Sequence, residues 1–282
     1  MGAALNIGFV VIEGGYGLLS GSMALLADAG HNLGDVMGLL TAWLASRLAT
    51  KLPSHRFTYG LRSSSMLAAL FNATALLIIT GGIAAEAVRR LFEPGEVMGP
   101  TVMVVAAIGI FVNGATAAMF ASGRKGDINI RGAFLHMLSD AVVSAGVVAA
   151  GALIWFTHWF WVDPVVSLVI AGLIVWSTWA LLRESLAMVL QGVPEAIDPT
   201  NVRATLSALP GVTGLHDLHI WPMSTTETAL TCHLVMPAGH PGDNFLVDAC
   251  KMLQDRFKIC HATLQVEIDE ALACPLAPDH VV

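Results

Sequence analysis

Charge is the first thing this sequence lacks. Its 282 residues include 14 Lys or Arg and 21 Asp or Glu, 12% in all, against roughly 25% in a soluble domain. With a mean hydropathy of +0.70, there is too little polar surface to cover the chain, so much of it must face lipid. Basic charge is scarcer than acidic, giving a formal net of −7. That excludes a nucleic-acid surface, which needs cations against phosphate. Cysteine is absent from the first 231 residues; Cys232, Cys250, Cys260 and Cys274 all fall beyond them. Neither an H-E-x-x-H motif nor a low-complexity segment occurs. The N-terminus has no basic leader, and the apolar run from Ala3 passes straight into further apolar runs, so no secretory signal is expected. The first run is short for a membrane crossing, as if a few residues preceded it.

What charge there is lies unevenly. Residues 1–192 hold ten basic and ten acidic residues, whereas 193–282 hold four and eleven, with six of the ten histidines. This divides the chain into a neutral membrane domain, 1–192, and a small acidic soluble domain, 193–282. Six apolar stretches, at about 3–20, 22–46, 62–88, 100–121, 132–157 and 164–182, approach or reach the roughly 20 residues of a membrane helix. They predict an α-helical membrane protein with a six-transmembrane-helix bundle. Gly and Ala are frequent within them, as in "SAGVVAAGA" (144–152), and such small residues let helices approach closely in lipid. Arg47, Lys51, Arg56, Arg62, Arg124, Lys125, Arg131 and Arg183 flank the ends on one side of the bundle, and only Arg89 and Arg90 the other. The positive-inside rule then puts both termini in the cytoplasm, where thiols stay reduced or bind metal. "WFWVD" (159–163) reads as an aromatic anchor at the outer interface.

In the acidic domain, Asp198 precedes a helix over 199–209 as its cap. "GLHDLHIWPM" and "ETALTCHLVM" alternate like strands about a turn at "STT". "NFLVDACKMLQDRF" is an amphipathic helix and "ATLQVEID" a third strand. The order α-β-β-α-β predicts a small α+β domain with its helices on one sheet face.

The chemistry sits inside the apolar part. "LADAGHNLGD" (26–35) contains His31-x-x-x-Asp35, and "HMLSD" (136–140) contains His136-x-x-x-Asp140. A charge at the bilayer centre costs several kcal/mol and needs a partner. Residues at i and i+4 share a helix face about 6 Å apart, so two such helices can turn two imidazoles and two carboxylates toward one ion. That donor set suits tetrahedral Zn2+. Mg2+ and Ca2+ prefer all-oxygen shells, and no sulfur is present to favour Cu(I). Asp28, one turn before His31, reads equally as a carboxylate orienting the imidazole, a proton stop-over, or a polar group near the end of its span. Glu13 either lines the ion path and accepts protons or makes a structural hydrogen bond. Asn113 reads as interhelical glue, and Glu86 as the local ion-pair partner of Arg89 and Arg90.

The segments "GLLSGSMALLADAGHNLGD", "HMLSDAVVSAGVV" and "GLHDLHIWPMS" resemble the cation diffusion facilitator family, in its zinc-type branch of metal/proton antiporters, over nearly the whole chain. The resemblance implies a homodimer of six-helix protomers in the cell inner (plasma) membrane, each with a C-terminal α+β ferredoxin-like cytoplasmic domain. It carries the transport site onto His31, Asp35, His136 and Asp140. It implies a secondary transporter, not an enzyme, that exports Zn2+, or Cd2+ or Co2+, in exchange for protons by alternating access. It also implies regulatory zinc held between dimerised C-terminal domains. Of the domain's potential ligands, His216, His219, His233, His240, His261, Cys232, Glu267 and Asp269, the best matches are His233, His261, Glu267 and Asp269, with His240 a weaker one. "HRFTYG" departs from members that bind a second metal after the second span: it keeps His55 but has Tyr59 where a second histidine would be. "SGRKGDINI" lacks the histidine-rich loop of many eukaryotic members, which favours a bacterial protein.

Metal ligands must be deprotonated, and histidine titrates in the working pH range, so protons compete for His31 and His136 on the outward side. Two alternatives use the same residues. An intramembrane zinc hydrolase would need an open coordination position and a general base. A membrane-tethered metal sensor would move no ion.

Overall fold

The computed structural model of the protein describes residues 2–121, 128–269 and 274–277, the side chains at 2–5, 128–130 and 133 excepted. Arg124 and Lys125, used above to orient the chain, lie outside the described residues. Two compact units are present: Met1–Thr41 with Phe71–Leu182, and Ala42–Leu70 with Arg183–Val282.

Six long helices make up the N-terminal two thirds: α1 (Gly2–Ser20), α2 (Met23–Ala49), α3 (Ser64–Phe92), α4 (Gly99–Phe120), α5 (Ile128–Thr157) and α6 (Val162–Val189). Among the described residues four are long and apolar enough to cross a membrane: α3, α4, α5 from Phe134 onward, and α6. Six spans were expected. In α2 the apolar run is interrupted by Asp28, His31, Asn32 and Asp35, while the described side chains of α1 begin at Asn6 and include Glu13. Large outward side chains such as Phe111, Phe156, Leu173 and Trp176 are exposed, as on a surface made for lipid.

Within the first unit, α4 and α5 meet backbone to backbone. A Cβ at Gly99 would stand 2.7 Å from the Gly151 carbonyl oxygen, and one at Gly151 would stand 3.1 Å from that of Gly99. In lipid such close approach gives the dispersion contacts that hold helices together. Val102, Val105, Ala106, Val147, Ala150 and Ile154 form the core beside this contact. Between α1 and α2, Gly21 has φ +69° and a Cβ there would strike the Glu96 carbonyl oxygen at 2.8 Å, so only glycine fits. Asp163, in the first turn of α6, caps α2. It accepts from Ser22 Oγ and the Met23 amide, both at 2.5 Å, and from the Ala24 amide at 3.3 Å. Arg90, paired with Glu86 at 3.0 Å, donates to the Gly21 carbonyl.

The second unit contains a three-stranded sheet in the order β1 (Gly214–Pro222), β2 (Thr228–Val235), β3 (Ile259–Glu267); β1 and β2 are antiparallel, β2 and β3 parallel. Helix α7 (Pro199–Ser207) packs on β1 and α8 (Asp243–Phe257) on β3, and the helices touch each other, which places both on one face. The Asp198 carboxylate accepts from the Thr200 amide at 2.9 Å as the cap of α7. Val202, Leu206, Ile220, Leu230, Leu234, Leu253 and Ile259 fill the core. A ferredoxin-like unit has a strand ahead of its first helix; here the approach to α7 is a turn at 195–196 with no strand. In its place Pro194 and Pro199 remove backbone donors a strand would use.

Candidate metal centres

The i,i+4 spacing on α2 and α5 does what helical geometry requires: each pair occupies one face, and the two faces meet. His31 Nε2 lies 3.3 Å from Asp140 Oδ1 and 3.9 Å from Asp35 Oδ2; His136 Nε2 lies 3.1 Å from Asp35 Oδ2 and 3.8 Å from Asp140 Oδ2. Each histidine thus approaches the carboxylate of the other helix as well as its own. Donors 2.0–2.2 Å from a tetrahedral ion stand about 3.4 Å apart, in the middle of these distances. His31, Asp35 and Asp140 offer atoms all within 4.8 Å of one another. His136 is the most open of the four, at 44% exposure against 2% for Asp140. Asp140 Oδ2 and His31 Nδ1 are buried without a hydrogen-bond partner among the described residues. A bare buried carboxylate oxygen is costly, and a cation would satisfy it.

A second cluster forms across the sheet. His233 Nδ1 and Glu267 Oε1 are 2.8 Å apart, His216 Nε2 and Glu267 Oε2 3.3 Å, and Cys274 Sγ and His233 Nδ1 3.7 Å. These four residues offer donors within 4.8 Å of one another, a thiol, a carboxylate and two imidazoles, a set Zn2+ accepts. Asp217 joins the margin, 3.5 Å from His233 Nε2 and 2.7 Å from His219 Nε2. Partial burial pushes the Glu267 carboxyl up, but hydrogen bonds from Cys274 and His233 and the nearby His216 outweigh it and hold the group below its ordinary range.

Of the four C-terminal residues expected, the structure brings His233 and Glu267 together and leaves the other two outside. His261 is six residues before Glu267 on the same strand, about 20 Å away at strand rise, with its ring 5.5 Å from that of Tyr59. Asp269 lies exposed beyond the end of β3. His240 is likewise elsewhere, accepting from the Gly242 amide at 3.1 Å. Besides His233 and Glu267 the cluster takes His216, a potential ligand outside the best matches, and Cys274, which was not among the candidates. Reflecting the hairpin about "STT" pairs 216 with 234, and an irregularity in the ladder between His216 and His219 shifts the register to His216↔His233. Cys274 had no signal beyond being a cysteine. Cys232 faces the core instead, and burial pushes its thiol up to about 12.

The chain matches the family model for the cation efflux transmembrane domain over residues 1–190 and that for the cation efflux protein cytoplasmic domain over 194–269. It belongs to the cation diffusion facilitator family. As a member of a family of transporters it is not an enzyme, and the hydrolase alternative drops out. Among its relatives is the cadmium, cobalt and zinc/H(+)-K(+) antiporter of Bacillus subtilis, 35% identical over 95% of this chain and 89% of that protein. The zinc transporter ZitB of Escherichia coli is 36% identical over 93% and 84%. A solved structure, the metal-bound C-terminal domain of the CzcD transporter from Cupriavidus metallidurans, is 39% identical over 25% of this chain and 98% of that one, with a TM-score of 0.22. This cation diffusion facilitator thus pairs a helical membrane domain with a C-terminal domain built on a small sheet.

Proposed function

We propose that the protein exports Zn2+ from the cytoplasm in exchange for protons by alternating access, with His31, Asp35, His136 and Asp140 holding the ion in transit. The observation that carries this reading is the crossed arrangement of two i,i+4 pairs, with donor separations of 3.1–3.9 Å between α2 and α5. Relatives named for zinc, cadmium and cobalt support the metal class, and Cd2+ and Co2+ accept the same donors. Exchange follows from chemistry: the ligands must be deprotonated to take metal, and an empty site re-enters lipid at least cost when protonated.

In this reading residues 1–192 form six spans in the inner membrane, lipid-facing on their outer side, with both termini in the cytoplasm. Residues 193–282 form the ferredoxin-like domain that dimerises and senses metal. His216, His233, Glu267 and Cys274 hold the regulatory Zn2+; His261 and Asp269 are not assigned to it.

The test uses the full chain in proteoliposomes with Zn2+ outside and a pH gradient imposed. Uptake should rise with the gradient, and Asp140→Ala should abolish it while leaving the oligomer in detergent unchanged. Flux indifferent to pH refutes the coupling. Full activity in Asp140→Ala refutes the site.

A further inference from the structure

Glu13 and Asp28 are buried carboxyls that neither metal cluster uses, and both have 0% exposure. Each has one neutral donor. Asn32 Nδ2 donates to Glu13 Oε2 at 2.9 Å, and Ser144 Oγ donates to Asp28 Oδ2 at 3.0 Å. The other oxygen of each, Glu13 Oε1 and Asp28 Oδ1, has no donor among the described residues. Asn32, the donor to Glu13, follows Asp28 by one helical turn on the same face of α2, and α1 meets α2 beside them, a Cβ at Gly14 standing 3.8 Å from Ala29 Cβ, so the two carboxyls are neighbours. An ionised carboxylate only accepts, so a proton kept on one of the two would be the donor that the bare oxygens lack.

The surroundings offer no other compensation. The side chains bonded to the pair are Asn32 on α2 and Ser144 on α5, His31 and Asp140 lie one turn from Asp28 and Ser144, and among the described residues no lysine or arginine bonds to either carboxyl. Helix α4, which packs on α1 and brings Gly109 against Phe9 and Ser144, contains no ionisable residue. Arg90, on α3, is turned to Glu86 and the Gly21 carbonyl, and Asp163, on α6, to the start of α2. Two adjacent carboxylates with no exposure and no cation cannot both carry charge.

The position is as telling as the pairing. Asp28 precedes His31 by one helical turn on the same face, and Ser144, its donor, follows Asp140 by one turn on α5. The pair is therefore tied to both helices that carry the transport ligands without sharing a residue with them.

We propose that Glu13 and Asp28 hold one exchangeable proton between them, a proton site separate from the four metal ligands and one turn behind them. The proposal rests on the exchange reading above. A divalent ion arriving at the transport site brings positive charge near Asp28, which favours the doubly ionised pair. The carboxyl O–H bond then breaks and the proton passes to water in the compartment to which the site is open. The pair keeps one more negative charge, balanced by the ion. When the ion leaves, the pair takes a proton back.

The test uses the full chain in proteoliposomes with Zn2+ as the ion. It measures Zn2+ affinity, protons released per ion, and the infrared difference spectrum between Zn2+-loaded and Zn2+-free protein. Wild type should lose the carbonyl stretch of a protonated carboxyl on loading. Glu13→Gln should bind Zn2+ as wild type does, lack that band, and release about one proton fewer per ion; Glu13→Asp should restore both. Retention of the band and of full proton release in Glu13→Gln overturns the proposal. So does a loss of Zn2+ affinity of about tenfold or more, which would make the pair part of the metal site. A wild-type spectrum with no such band, and a response to Na+ or K+ instead, overturns it in favour of a cation site. That wild-type measurement holds even if Glu13→Gln fails to fold. Wild-type Zn2+ flux without proton counterflux would sink the exchange reading, whereas the band alone decides the pair.

Discussion

Cys232 and Cys260 sit on neighbouring strands and meet opposite environments. Cys232 is 1% exposed in the sheet core, and burial, with Asp217 adding to it against Arg203, pushes its thiol up to about 12. Cys260 is exposed on β3. At pH 8 a thiol with that pKa is thiolate in only about one molecule in ten thousand, and the thiolate is the nucleophile. Iodoacetamide should therefore modify Cys260 in the folded protein and reach Cys232 only in denaturant, as read by mass spectrometry of the peptides. Equal native labelling of both would contradict the packing of β2. The same scale shows what a sequence can reveal. His31 and Asp140 stand out because an ionisable residue inside an apolar run is too costly to keep without a partner or an ion. His216 does not, since its nearness to His233 depends on strand register, which no single residue announces. His261 shares a strand and a face with Glu267, and only the length between them keeps it from the cluster.

Elements were easier to read than their ends. The six apolar stretches correspond to six long helices, but α6 continues to Val189, seven residues past the expected end at 182. Hydropathy falls where Arg183 and Glu184 bring charge into the sequence, while Glu184, Leu186, Ala187 and Met188 remain good helix formers. The start of α2, expected at 22 and found at Met23, was legible, but its cap was not, because it comes from another helix. Asp163 takes three donors from residues 22–24 and is 1% exposed, so it satisfies amides that would otherwise be orphaned at a helix N-terminus. Asp163→Ala is expected to cost roughly 2–3 kcal/mol, combining a lost cap with unsatisfied buried donors. Asp163→Asn keeps one acceptor and should cost about half as much. Thermal unfolding in detergent followed by tryptophan fluorescence would show this as a lowered Tm, and an unchanged Tm in Asp163→Ala would mean the cap contributes nothing.

The division in composition at about residue 192 has a physical counterpart in where the cores lie. Every residue of the core beneath the sheet falls between Ile197 and Val266, so that core needs nothing from the helices before it. Residues 42–70 do touch this unit, through Arg62 with Glu227, Ser65 Oγ accepting from the Thr225 amide at 3.1 Å, and Tyr59 with His261. These contacts are polar or half-exposed, and an exposed ion pair is worth at most about 1 kcal/mol. A fragment of residues 193–282 should therefore fold in water and unfold cooperatively. Its metal response then separates the structural cluster from the one expected on sequence alone. Zn2+ at a hundredfold excess over its Kd adds about 2.7 kcal/mol, which in a domain of this size raises Tm by on the order of 10 °C, and a chelator should reverse it. His233→Ala should remove the shift, since the His233 imidazole lies within reach of Glu267, Asp217 and Cys274. His261→Ala should leave it intact, because that ring sits against Tyr59, on the far end of the strand from Glu267. The reverse pattern would move the zinc to the other end of β3.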